Sequence, residues 1–186
     1  IGKLSDKYDV ACSGESAAKI VSILERKEYG KDGIILDQGQ VSRHMYIVEE
    51  GIIRQFYYKD GRNITEHFSR EGDIATCLES LFLKQPTSLL VEAIEPSVVY
   101  LLDYAGFKDL TYRDPDINKL YQAIMERKLV VSQRKADSWR FESSHERYER
   151  FCREYPDVAR RASVAHIASY LLMAPETLSR VRGGVL

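Results

Sequence analysis

The sequence predicts an α+β protein in which a small β-roll precedes a long helix and a compact helical unit. Three observations favour this fold class. Short strand-like segments with glycine-containing turns fill the first half, residues 115–139 have one apolar side and no glycine, and residues 164–182 have the pattern of two short helices joined by a sharp turn. The predicted units are residues 1–113, 114–140 and 141–186.

The composition is ordinary for a globular protein, with 44% hydrophobic and 30% charged residues among 186. No apolar run approaches the ~18 residues that span a bilayer, and the N-terminal residues lack the apolar core of a signal peptide. We therefore expect a cytoplasmic protein with no membrane partner. Cys12, Cys77 and Cys152 are far apart, which predicts reduced thiols and no iron–sulfur cluster. The four histidines lack metal-ligand spacing, so no metal site is predicted.

The charge is distributed unevenly although the net charge is only −1. From Arg140 onward there are eight arginines and six acidic residues (+2), whereas residues 1–139 contain 19 basic and 22 acidic residues (−3). This asymmetry favours local attraction of the C-terminal part to phosphate over general coating of nucleic acid.

The first half is predicted to begin with a helix over residues 16–27, where apolar residues recur at helical spacing. Strands are predicted at residues 33–36, 44–48, 51–58, 63–68, 89–94 and 97–102. Short strands with turns at this spacing indicate a small barrel or roll.

The long helix is predicted to begin at Pro115, which a first helical turn tolerates. Its apolar stripe consists of Ile117, Leu120, Tyr121, Ile124 and Val131. Because the helix is longer than a small barrel can cover, we expect this stripe to mediate dimerisation with the same helix of a second subunit. The alternative is a helix that lies wholly on its own barrel.

The C-terminal unit has the pattern of a helix-turn-helix. Ser143 and Glu146 have capping-box spacing and predict a first helix that ends before Pro156. The following pair of helices would share a core made by Ile167, Leu171, Met173, Leu178 and Val181. The residues left on the outer side of the second helix are Glu176, Thr177, Ser179, Arg180 and Arg182. Such a face contacts double-stranded DNA in helix-turn-helix proteins, and the alternative is a solvated surface.

This ordered set resembles the CRP/FNR family of bacterial transcription regulators over nearly the whole chain. The motifs that carry the resemblance are residues 167–171 and 175–180, supported by Gly39 and residues 46–51, 71–73 and 91–93. The C-terminal wording is most similar to regulators from the Bacteroidetes. The resemblance implies a cyclic-nucleotide-binding-type double-stranded β-helix, or jelly roll, then a dimerisation helix and a winged helix-turn-helix. It also implies a regulator and not an enzyme, a homodimer, and RNA polymerase as a partner.

The resemblance assigns base contacts to three residues. Glu176 can accept from cytosine, Arg180 can donate two bonds to guanine, and Ser179 can contact a base edge or a phosphate. The pattern implies a palindromic operator with TTGAT-like half-sites. Leu172 stands where the family usually has glycine, and Ala174 where it usually has a capping Ser or Thr. Because the chain ends at residues 183–186, we expect the wing to be truncated and the helix-turn-helix unit to be incomplete.

The resemblance also places an effector pocket in the roll. The corresponding residues are Glu71, Gly72, Thr76, Cys77, Glu79, Thr87 and Ser88. Members that bind cyclic nucleotides use an arginine against the phosphate, and no arginine stands at Thr87 or Ser88. We therefore expect no cofactor and no cAMP binding, but a different small effector or none. The alternative function is an effector-binding or protein-interaction module with weak or no DNA readout.

Overall fold

A computed structural model describes residues 2–184, which form nine helices and eight strands. In chain order these are α1 (Gly2–Tyr8), α2 (Gly14–Val21), β1 (Leu24–Tyr29), β2 (Ile34–Leu36), β3 (His44–Glu50), β4 (Ile53–Lys59), β5 (Arg62–Ser69), β6 (Ile74–Ala75), α3 (Leu78–Leu83), β7 (Leu90–Ala93), β8 (Ser97–Asp103), α4 (Tyr104–Arg113), α5 (Pro115–Phe141), α6 (Ser144–Glu154), α7 (Pro156–Arg161), α8 (Val164–Tyr170) and α9 (Pro175–Arg182). The α+β class predicted from the sequence is confirmed.

The strands form two four-stranded antiparallel sheets with the orders β1-β8-β3-β6 and β2-β7-β4-β5. Apolar side chains from both sheets meet between them, among them Tyr46, Ile53, Val91 and Val99, which are all buried. This is the β-roll that the spacing of the strand-like segments predicts.

The predicted N-terminal helix over residues 16–27 is wrong in its second half. The helix α2 ends at Val21, and β1 begins at Leu24 and pairs with β8 over its whole length. Pairing with a distant strand supplies hydrogen bonds that a continued helix would forgo, so tertiary context overrides the local apolar spacing. The elements α1, α4 and α7 were not predicted.

The long helix α5 begins as predicted, with Asp114 accepting from the backbone N–H groups of Asp116 and Ile117. Its stripe packs differently from the prediction. Ile117, Leu120 and Ile124 are buried against α1, α2, α4 and the roll of the same chain. They are therefore not a surface that a second subunit can reach, and their assignment to dimerisation is corrected.

Two further residues of that stripe, Tyr121 and Val131, are half-buried. Tyr121 packs against the same core, and Val131 lines a cavity. The exposed apolar side chains of α5 lie elsewhere on the helix, and they are Leu129, Val130, Trp139 and Phe141.

The C-terminal helices pack directly on the roll. Ile52, Phe68 and Ile94 of the roll share one buried cluster with Phe151 and Tyr170 of the helical unit. Aromatic rings dominate the contact, with the Phe68 and Tyr170 centroids 5.4 Å apart. The helical unit is thus held against the roll by apolar burial as well as by polar contacts.

Two features of the chain ends complete the description. The expected truncation of the wing falls on residues 183–186, of which Val185 and Leu186 lie outside the described residues. Among the helices of residues 2–184, none has the length and apolar character needed to cross a membrane.

Candidate nucleic-acid interface and effector pocket

The helices α8 and α9 form a helix-turn-helix with its own small core. Ser163 caps α8 by accepting from the backbone N–H of His166 at 3.1 Å. Ile167 and Ala168 of α8 face Leu178 and Val181 of α9, and all four are buried. The small side chain at Ala168 lets the two helices cross closely. The predicted motif therefore has the predicted core.

The turn between these helices is strained at one residue and uncapped at another. Leu172 has φ 53°, the left-handed conformation that usually requires glycine, and its side chain is 45% exposed. Ala174 occupies the N-cap position of α9 and provides no side-chain hydrogen bond. Arg147 of α6 compensates in part, because its Nε donates to the carbonyl of Leu171 at 3.2 Å.

The outer face of α9 is polar and accessible. Glu176, Ser179, Arg180 and Arg182 are exposed, and Thr177 is half-buried. Within residues 2–184, no ion pair holds the charged members of this set. A helix that is anchored by its apolar side and leaves Glu, Ser and Arg free on the other can offer them to base edges and phosphates.

The predicted effector pocket is only partly assembled. Thr76, Cys77 and Thr87 are buried inside the roll, and Gln55 Nε2 donates to the carbonyl of Thr76 at 3.0 Å. Burial raises the pKa of the Cys77 thiol, which favours its neutral form. This interior is polar but carries no cation among the residues described here.

The remaining predicted pocket residues lie outside that interior. Glu79 and Ser88 are exposed, and Gly72 has φ 79° in a tight turn. Glu71 accepts from the backbone N–H of Gly51 at 3.0 Å and pairs with Arg161 of α7 at 2.7 Å. Arg161 lowers the pKa of Glu71, so this carboxylate is charged and engaged with the helical unit.

The family comparison covers the first half of the chain. Residues 26–114 match the model of the cyclic nucleotide-binding domain. This range begins in β1 and ends one residue before α5, so it contains both sheets of the roll.

Solved structures cover the rest of the chain. FixK2 from Bradyrhizobium japonicum superimposes with a TM-score of 0.75 at 21% identity, over 88% of this chain and 84% of that chain. The chain has the CRP/FNR fold. The catabolite activator protein of Thermus thermophilus matches with a TM-score of 0.60 at 20% identity, over 98% of this chain and 86% of that chain.

A third CRP/FNR-type structure is the c-di-GMP-responsive global regulator CLP of Xanthomonas campestris. It matches with a TM-score of 0.72 at 15% identity, over 93% of this chain and 91% of that chain. At these identities the matches establish the shared fold. No protein of curated function matches the chain by sequence.

One functional group in this CRP/FNR fold was missed by sequence reasoning. Arg54 of β4 is buried on the sheet face toward α8, where it donates to Glu92 at 2.5 Å, Asn63 at 2.8 Å and Thr65 at 2.9 Å. An arginine at the centre of a strand was the available signal, since a buried guanidinium requires partners. Its position couples the roll to the helix-turn-helix.

Proposed function

We propose that this protein is a sequence-specific DNA-binding transcription regulator of the CRP/FNR type. The observation that carries the proposal is the exposed polar face of α9, with Glu176, Ser179 and Arg180 free of partners while Leu178 and Val181 anchor the helix. A regulator binds and does not catalyse, and it works where chromosomal DNA is, in the cytoplasm. RNA polymerase is the further partner that this function implies.

The proposed base contacts follow from side-chain chemistry. The guanidinium of Arg180 matches the two acceptors of guanine, and the carboxylate of Glu176 matches the cytosine amino donor. Ser179 adds a short donor or acceptor near the bases, and Thr177 and Arg182 can reach the phosphates. We infer recognition of a TTGAT-like half-site.

The protein is further proposed to act as a homodimer on a palindromic operator. Support comes from the exposed apolar side chains of α5, above all Leu129, which is 72% exposed, and its neighbour Val130. A long helix with apolar residues facing solvent is stabilised by the same helix of a second subunit around a two-fold axis. Two recognition helices would then meet two half-sites one helical turn apart.

Control by cAMP is not part of the proposal. A cyclic phosphate in the roll would lie near Thr87, where the described residues offer no guanidinium, and a buried anion without a cation is strongly destabilised. An effector of other chemistry would act by shifting the positions of the two recognition helices.

A second candidate function is a ligand-binding or protein-interaction module with weak DNA readout. The left-handed Leu172 and the missing cap at Ala174 favour it, because each destabilises the turn by roughly 1 kcal/mol. A loosened turn would position α9 less firmly on DNA.

Selection of bound sequences from random double-stranded DNA tests the main proposal. We expect enrichment of a palindrome with TTGAT-like half-sites, followed by a salt-dependent mobility shift on that palindrome. Enrichment of no sequence, with binding that is equal for all duplexes, would support the second candidate. Isothermal titration with cAMP tests the effector argument separately, and micromolar binding would contradict it.

A further inference from the structure

A cavity of about 360 Å³ lies where the roll, the long helix and the C-terminal helices meet. Its walls come from α1, β5, β6 and α5 on one side and from α6 and α8 on the other. Glu79, Thr87 and Ser88 do not line it, so it is a different site from the predicted effector pocket, with which it shares Thr76.

The walls of this interdomain cavity are strongly basic. Seven lysines and arginines line it, with two carboxylates. Four of the seven are neutralised by carboxylates in or beside the cavity, in the pairs Lys7–Asp73, Arg70–Asp157, Lys135–Glu66 and Arg150–Glu142. The other three are Arg127, Lys128 and Arg134, and none of them has a carboxylate partner within residues 2–184.

These three cations are placed by the geometry of α5. Arg127 and Arg134 are seven residues apart, so they project from the same side of the helix, and Lys128 lies beside them. Lys128 Nζ donates to the backbone carbonyl of Ile74, a neutral partner. Burial lowers the pKa of Lys128 to about 8, which reflects a cation removed from water without a counter-charge.

A polar group on the opposite wall is also unsatisfied. The Oγ1 atom of Thr76 is buried and has no hydrogen-bond partner among the described residues. A buried hydroxyl without a partner costs roughly 1–3 kcal/mol, so a ligand atom that accepted its proton would stabilise the site. The aromatic rings of Tyr8, Phe68 and Tyr155 complete the walls and suit an organic moiety.

We propose that this interdomain cavity binds a phosphorylated organic molecule of about nucleotide size, with Lys128 and Arg134 against the phosphate and Thr76 as a hydrogen-bond donor to it. Phosphate is favoured because a guanidinium can donate two parallel bonds to it, and because a multiply charged anion offsets three uncompensated cations. A volume of about 360 Å³ falls in the range of small-molecule sites.

Binding would stabilise the arrangement of the two parts of the chain. Arg134 and Thr76 belong to the long helix and the roll, whereas Arg150 and Tyr170 belong to the helical unit, and all four line the cavity. A ligand that contacts both parts favours the conformation in which they are together. Any consequence for DNA affinity rests on the proposed function, but the binding itself does not.

Isothermal titration calorimetry of the full chain tests the site with AMP and inorganic pyrophosphate, and with adenosine as the uncharged probe. We expect both phosphates to bind and adenosine not to bind. Arg134→Gln and Lys128→Gln should each weaken binding about tenfold or more, the size of one lost charge-assisted hydrogen bond. Arg140→Gln is the matched control, since Arg140 is exposed on the same helix and does not line the cavity.

The proposal is overturned if neither phosphate binds, or if Arg134→Gln binds as tightly as the unmodified chain. Binding that Thr87→Val weakens and Arg134→Gln does not would also overturn it, because the ligand would then lie inside the roll. Failure here would leave the DNA selection unaffected, so the two proposals fail independently.

Discussion

The hydroxyl of Ser169 in α8 donates to the Oγ1 of Thr65 in β5 at 2.7 Å, although the two residues are 104 positions apart. The same Ser169 Oγ accepts from the backbone N–H of Thr65 at 3.1 Å. Arg54 also donates to Thr65 Oγ1, so a chain of hydrogen bonds runs from the buried arginine of the roll to the first helix of the helix-turn-helix. The position of α9 is therefore coupled to the roll through α8.

Replacing Ser169 with Ala should weaken this connection. The substitution leaves the Thr65 N–H without its acceptor, and we expect the free energy of unfolding to fall by about 1–2 kcal/mol. Hydrogen exchange in α8 and α9 should accelerate, because these helices lose a contact with the roll. Ser88→Ala, at an exposed position, is the control. Equal stability and exchange in the two variants would refute the coupling.

Local features of the fold could be predicted because their causes lie within a few residues. The turn at Asp60 and Gly61 has positive φ at both positions, as a two-residue hairpin of this composition favours. The capping box of Ser143 and Glu146 is present with both of its hydrogen bonds. The left-handed conformation at Leu172 follows from the position of a turn in a helix-turn-helix.

Features that depend on distant residues could not be predicted in the same way. Residues 24–27 continue an apolar helical spacing, and only the presence of β8 beside them makes them a strand. The pairing of Glu71 with Arg161 joins residues 90 positions apart, which removes Glu71 from the predicted pocket. The burial of Ile124 likewise depends on how α1, α4 and the roll pack around α5.

Ala174→Ser should stabilise the protein. Ala174 already has the extended N-cap conformation, with φ −68° and ψ 147°, so a serine hydroxyl could accept from an orphan N–H of α9. We expect a gain of about 1 kcal/mol, measured by urea unfolding. Ala165→Ser, within α8, should give no such gain because it is not at a cap. A neutral or negative effect at Ala174 would mean that the turn does not have this geometry.

Acidification should destabilise the protein through His67. Burial, together with Lys135 and Lys128, lowers the pKa of His67 to about 3. Below the unfolded value of about 6.5, the unfolded chain binds a proton that the folded chain refuses, so stability present at neutral pH is lost as the pH falls. His67→Asn should reduce the loss between about pH 7 and about pH 5 by about 1–2 kcal/mol in urea unfolding.

The control for that experiment is His145→Asn, which changes an exposed histidine. Part of the pH dependence should persist in His67→Asn, because burial also lowers the pKa of His166 to about 4. Identical pH profiles for His67→Asn and His145→Asn would show that His67 is not protected from protonation.

Leu129→Glu should dissociate the proposed homodimer. A carboxylate placed at the centre of an apolar contact loses the burial of a leucine, about 1.5–3 kcal/mol, in each subunit. Sedimentation velocity should show a monomer at concentrations where the unmodified chain is dimeric. Leu83→Glu, at an exposed leucine outside α5, should leave the dimer intact. A dimer that tolerates Leu129→Glu would place the subunit contact elsewhere.

Arg180→Ala should weaken specific DNA binding by about 1–3 kcal/mol, the value of a good bidentate contact with guanine. The effect should be confined to one position of each half-site, since the variant ought to lose its preference there and keep it at the other bases. Arg182→Ala should instead weaken binding to all sequences and reduce its salt dependence, as expected for a phosphate contact. Arg113→Ala, on the exposed surface of α4, should change neither. Titration of labelled operator duplexes with single base changes separates these patterns, and a uniform loss for Arg180→Ala would remove it from the set of base-reading residues while leaving the fold argument unchanged.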